Sequence, residues 1–154
     1  MSVLSMEERL SIYEKVDIVF SIYALGWSFD LEKTLKNIKS YLKPNGKFIF
    51  SWEHPMYSRF EYQNNVMAIT KSYNYDGERF ESSWVGTDGV YIQHRKISTW
   101  VNALTNAGFT VRRFKELEAE KFSYQPKSND PNKYYSKVRA KLITPTMFFE
   151  CVLK

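Results

Sequence analysis

Cysteine is almost missing from this sequence: Cys151 is the only one in 154 residues. A lone cysteine excludes a disulfide framework and a cysteine zinc site. It sits in the apolar run 147–153 and reads as a small buried hydrophobe. No stretch approaches the ~18 apolar residues that a membrane-spanning helix needs. The first ten residues hold two glutamates and no apolar core of the signal-peptide kind, so a cytoplasmic location is expected. Glycine is scarce too, with six residues and no Gly-x-Gly anywhere. The two histidines and scattered carboxylates make no recognisable metal site.

Aromatic residues are the abundant class, at 11 Tyr, 11 Phe and 4 Trp. They suit a large core, a stacking pocket, or both. Hydrophobic residues at 44% and charged residues at 25% lie near the globular average, which predicts a single folded domain over 1–154. Lys plus Arg number 22 against 17 Asp plus Glu, a net +5. Residues 1–109 carry 12 of each sign, so the whole excess falls in 110–154, with 10 basic and 5 acidic. A basic region could meet nucleic acid or an anionic substrate. No arginine-rich run or nucleic-acid motif accompanies it, so nucleic acid is not the expected partner.

Val16-Asp17-Ile18-Val19-Phe20-Ser21 is β-branched and nearly continuous in apolar residues, the pattern of a strand buried on both faces. Asp30 is placed to cap a helix whose apolar positions Leu31, Leu35, Ile38 and Leu42 recur every three or four residues. Pro44-Asn45-Gly46 ends it. Lys47-Phe48-Ile49-Phe50-Ser51-Trp52 is a second strand, and the three pieces predict a βαβ unit. Residues 54–93 turn polar and tyrosine-rich. They are expected to form an antiparallel insertion, with strands over 66–73, 80–85 and 89–93 and a turn at Asp76-Gly77. Ser98 is the expected cap of a second helix with Trp100, Val101, Leu104 and Ala107 on its apolar face and Gly108 at its end. A strand from Phe109, a polar loop over 119–141 with one short helical piece, and a final strand over 146–153 complete the chain. Near the start, 7–13 reads as a weak helical turn.

Taken in order, these segments resemble the C-terminal half of a class I S-adenosylmethionine-dependent methyltransferase. The residues that carry the likeness are Val16-Asp17-Ile18-Val19-Phe20-Ser21, Leu42-Lys43-Pro44-Asn45-Gly46, and the helix ending in Ala107-Gly108-Phe109. The family has a DxVxS-type strand, a helix, an LKPGG-type turn and a strand. After an insertion come a helix ending in a GF pair and two final strands. The resemblance covers residues 16–153. It implies an α/β, partial Rossmann-like fold: a mixed sheet of the family's strands 4-5-7-6 with helices, plus a small antiparallel insertion. The family's opening strand with its Gly-x-Gly turn, which lets backbone approach the cofactor, has no counterpart here beyond a remnant near Val3-Leu4-Ser5-Met6. The chain is therefore expected to be a truncated family member. Strand 4, normally central, would become an edge and invite pairing. A second copy is the favoured partner; a separate N-terminal polypeptide, or residues 1–10 folding across the edge, are the alternatives.

The resemblance also implies S-adenosylmethionine as cofactor and nominates residues. Ser21, Ile22, Tyr23 and Ala24, just after strand 4, would touch it. Met6 would sit against its adenine, while Ser5 lacks the carboxylate that the family often places there. His54, with Glu53, follows strand 5 at the same end of the sheet. Methyl transfer is an in-line displacement that often needs a base, a role suited to an imidazole that Glu53 could orient. Tyr57 and His94 border the expected pocket of a small-molecule methyl acceptor. Trp27, Trp52 and Trp84 could add aromatic walls. Ordinary packing is the competing account of each of these residues. Two functions stay open: a methyltransferase acting on a small molecule and dependent on what completes the cofactor site, or a non-catalytic fragment or pseudoenzyme serving as a dimerisation and interaction module.

Overall fold

The computed structural model describes residues 5–11, 13–82, 86–117, 128–134 and 136–154. Strand β1 (Val16–Ile22) leads through a 3₁₀ turn into helix α1 (Leu31–Tyr41), which returns into strand β2 (Leu42–Glu53). The carboxylate of Asp30 accepts the Lys33 N–H at 2.9 Å, so the expected cap is in place. β1 and β2 run parallel. Their register breaks between Val16 and Ile18, because the Pro44-Asn45-Gly46 turn loops out of the ladder with Asn45 at φ 63°.

Two antiparallel hairpins follow. The first joins β3 (Phe60–Gln63) to β4 (Val66–Ile69), and the second joins β5 (Gly77–Glu81) to β6 (Val90–His94). The sequence pattern predicts a short strand over 66–73. Instead Asn64 and Asn65 both take positive φ, 49° and 64°, and close a tight hairpin with the preceding residues. Asp76-Gly77 leads into β5 rather than closing a hairpin. Helix α2 (Ile97–Asn106) then precedes strand β7 (Phe109–Leu117), and a short helix α3 (Lys137–Leu142) precedes strand β8 (Thr146–Leu153). Gly108, at φ 93°, ends α2 as its left-handed residue. Ser98 does not cap α2. The helix begins at Ile97, and Asp76 supplies the acceptor from twenty residues upstream, taking the Lys96 N–H at 3.2 Å and the Thr99 hydroxyl. The expected helical turn near 7–13 is a simple turn at Met6 and Glu7.

The main sheet has the order β1-β2-β8-β7, which is the expected 4-5-7-6 arrangement. β8 lies antiparallel between β2 and β7. Helices α1 and α2 touch each other and pack on one face of this sheet. There Leu35, Trp100, Leu104, Phe48, Phe50, Phe149 and Cys151 are fully buried. Phe50 stacks on Phe149 at 4.8 Å between ring centroids. Burial pushes the Cys151 thiol up to about 12, in keeping with an inert core residue.

The opposite face is not covered by described residues, which corrects the expectation of a strand buried on both sides. Val16 and Val19 of β1 join the core. Ile18, Phe20 and Ile22 point the other way and are 44%, 64% and 75% exposed. Residues 5–11 do not substitute as an edge strand. They lie against α1, with Asn37 donating to the Met6 carbonyl and the Leu10 N–H donating to the Tyr41 hydroxyl.

Candidate functional site

The carboxyl ends of β1 and β2 emerge side by side, and they carry Ser21 to Ala24 and Glu53-His54. Alternation along the end of β2 sends Glu53 and its neighbours to different places. Glu53 enters a cavity of about 290 Å³ beneath the two hairpins and the loop before α3, shared with Ser58, Arg79, His94, Tyr134 and Arg139. The Tyr134 hydroxyl donates to the Glu53 carboxylate. Burial raises the Glu53 pKa above the ordinary carboxylate value, and the Tyr134 hydrogen bond only partly offsets this. The carboxyl is thus a stronger base than a solvated one.

His54 goes elsewhere. It is 4% exposed and does not line the cavity. Its Nδ1 accepts the Met56 N–H at 3.2 Å, so its Nε2 carries the proton and donates to Glu116 on β7 at 2.8 Å. Its Nε2 holds β7 to the chain after β2 while Nδ1 is engaged within that segment, and Glu53 does not orient the ring. His94, at the end of β6, is the histidine in the cavity. It is 6% exposed, and its Nε2 has no hydrogen-bond partner. Burial lowers its pKa to about 3, with the Arg59, Arg79 and Lys71 charges adding to the effect. It is therefore a neutral imidazole at physiological pH. Tyr57 is fully buried behind the cavity wall. Its hydroxyl donates to the Tyr134 carbonyl at 2.6 Å, its ring meets the Tyr134 ring edge-on, and the Arg139 guanidinium lies over it at 5.8 Å.

The arginines of this region, Arg59, Arg79 and Arg139, were not singled out from the sequence. They stand 20 and 60 residues apart in polar stretches without a spacing signal, and only the fold gathers them. Arg59 is 2% exposed and donates to the Tyr75 carbonyl at 3.2 Å. Arg79 pairs with Glu81, and Arg139 donates to the Phe60 carbonyl.

Ser21 and Ile22 end β1, and Tyr23 and Ala24 follow it at the carboxyl end of the strand. Ser21 Oγ is buried without a partner. Tyr23 takes φ 50°, bonds the Thr146 hydroxyl, and tilts against Trp52 at 5.8 Å. Trp27 meets Trp52 edge-on at 6.0 Å, and Gly26 lies so close that an added Cβ would fall 1.8 Å from the Trp52 ring. These aromatics pack on one another and line no described cavity, while Trp84 lies outside the described residues. Met6 stands by α1 and not at the strand ends. The described residues thus fit one side of a cofactor and make no cradle for it.

Glu7, beside Met6, was missed as well. Its carboxylate accepts the Ser28 hydroxyl at 3.0 Å and the Phe29 N–H at 3.0 Å, tying the chain start to the loop between β1 and α1. The Ser5 hydroxyl also donates to it, and these bonds hold its pKa down to about 2.

Comparison with known proteins agrees with this fold. Residues 5–50 match a family model described as a methyltransferase domain. An S-adenosylmethionine-dependent methyltransferase from Mesorhizobium loti superposes with a TM-score of 0.74 at 22% identity, covering 97% of this chain and 67% of that one. A putative enzyme of the same kind from Listeria monocytogenes gives 0.72 at 19% identity, with 98% and 67% covered. A putative methyltransferase from Haloferax volcanii, solved in complex with the Trm112 methyltransferase activator, gives 0.63 at 19%, with 98% and 60% covered. The chain thus spans about two thirds of the length of the first two structures and less of the third. No curated protein matches it. The first two structures are described as S-adenosylmethionine-dependent methyltransferases, and the likeness to them is one of fold.

Proposed function

We propose that this chain, which carries the fold of the class I S-adenosylmethionine-dependent methyltransferases, supplies the acceptor-binding side of a methyl transfer to a small molecule. One observation carries the reading. The polar cavity of Glu53 and His94 opens at the carboxyl end of β2, beside the end of β1, in a sheet of order β1-β2-β8-β7. Ligands of open α/β sheets bind at that end.

The roles of this chain's own residues follow from their surroundings. Glu53, desolvated and hydrogen-bonded to Tyr134, is the group to take a proton from the acceptor's nucleophile. His94, held neutral, positions the acceptor through a hydrogen bond. His54 acts at one remove, by holding β7 to the residues after β2. At the end of β1, Ser21 to Ala24 offer one wall to the cofactor, and what completes that site lies across the uncovered face and outer edge of β1. A second copy of this chain is the occupant we assign there. The edge of β1 left unpaired among the described residues can meet its own symmetry mate, and a copy that also packs across the bare face would bury Ile18, Phe20 and Ile22.

The test is calorimetric titration of the purified chain with S-adenosylhomocysteine, with its mass in solution recorded. Micromolar binding by a dimer supports the reading. A chain that binds nothing, as monomer or as dimer, moves the assignment to a non-catalytic interaction module, which the bare face of β1 would then explain.

A further inference from the structure

The cavity lining sets Lys71, Arg79 and Arg139 against Glu53, Glu61 and Glu81, yet its guanidiniums keep N–H donors that no acceptor meets. Lys71 pairs with Glu61 at its rim at 3.0 Å, and Arg79 pairs with Glu81. Among the described residues, Arg139 and Arg59 form no ion pair, although both are at least nine-tenths buried. The Nε of each, and Nη1 of Arg79, are buried without hydrogen-bond partners. A buried guanidinium without an anion is costly, since each orphaned donor has given up its water.

We propose that this cavity is built for an acceptor bearing an anionic group, a carboxylate or a phosphate, seated on the guanidinium groups of Arg139 and Arg79. The proposal rests on reading the cavity as the acceptor site. Arg59 stands behind the wall and adds its charge through space. Two planar forks with spare N–H donors match the paired oxygens of either anion. His94, whose Nε2 is also buried and unpartnered, is the neutral donor or acceptor for a further oxygen. Glu53 offsets part of the Arg59 and Arg79 charge through space, but its carboxylate bonds to the Tyr134 hydroxyl and forms no ion pair with either guanidinium among the described residues. Phe60 and Ile92 line the same space and fit an apolar body behind the anion.

The probes are benzoate, inorganic phosphate and benzyl alcohol, each titrated into the full chain at low salt and followed by calorimetry. Benzoate or phosphate should bind, and the better of the two names the anion. The uncharged benzyl alcohol should bind at least about tenfold more weakly than benzoate, the worth of a hydrogen bond to a charged group. Arg79→Gln and Arg139→Gln should each weaken anion binding by about tenfold or more. Arg139 also holds the Phe60 carbonyl, so Arg79→Gln carries the test if Arg139→Gln fails to fold. Equal binding of benzoate and benzyl alcohol overturns the proposal, as does absence of binding by either anion to the folded chain. None of these titrations needs the cofactor. Benzoate binding without S-adenosylhomocysteine binding would sustain this inference while removing the methyl-transfer reading.

Discussion

Strands β8 and β1 belong to one sheet and carry similar apolar loads, yet they live in different solvents. β8 is paired on both sides, and every second residue, Met147, Phe149, Cys151 and Leu153, is buried against the helices. Among the described residues β1 is paired on one side, and its alternate residues Ile18, Phe20 and Ile22 face water. A sequence run says how apolar a strand is. What covers each face decides how much of that surface is removed from water, and hence how much it stabilises: the buried set of β8 faces the helices, whereas Ile18, Phe20 and Ile22 lie on the face that no described residue covers.

That contrast can be broken at several points. Phe149→Ala, at the centre of the buried face, removes the ring stacked on Phe50 and touching Phe114 at 4.7 Å. It should cost about 3–5 kcal/mol, read as a drop in the urea midpoint. A smaller effect belongs to Glu7, at the margin where the chain start meets the loop before α1. Its folded pKa is depressed to about 2 from 4.5, so its contribution is present above pH 4.5 and is lost as pH falls towards 2. Wild type and Glu7→Gln should therefore differ in unfolding midpoint at pH 6 and converge near pH 2, with a modest gap because solvent screens the carboxylate. The smallest change in the stability of the single chain is expected from Phe20→Ser on the bare face, within about 0.5 kcal/mol. The same substitution should reduce a dimer to a single chain on a sizing column. An unchanged dimer mass would sink the assignment of β1 as the self-association surface.

Local pattern was a good guide wherever the cause was local. Asp30 caps α1 because the acceptor stands three residues from its donor, and Gly108 ends α2 because only the residue at that turn must take positive φ. The strand over 146–153 was legible to its ends, since alternation and pairing agree there. The hairpin at Asn64-Asn65 was readable in principle from two residues that tolerate the left-handed region. The cavity was legible only at Glu53 and His94, which adjoin strand ends. Its arginines are brought together by contacts over 16 and 79 residues, such as Arg59 to Tyr75 and Arg139 to Phe60. His54 and His94 were equivalent as letters. Only the partnership of His54 with Glu116 and the place of His94 at the end of β6 separate a structural histidine from one that lines the cavity.

The non-local cap on α2 has a dynamic consequence. Asp76 belongs to the segment leading into β5, a wall element of the cavity, yet it holds the amide of Lys96 and the hydroxyl of Thr99. Any excursion that lifts this hairpin away also uncaps the helix, so the two must open together. Hydrogen exchange at the Lys96 amide would then act as a clock for the hairpin. Its protection should lengthen when a small molecule clamps the cavity shut, even though no atom of the helix touches that molecule.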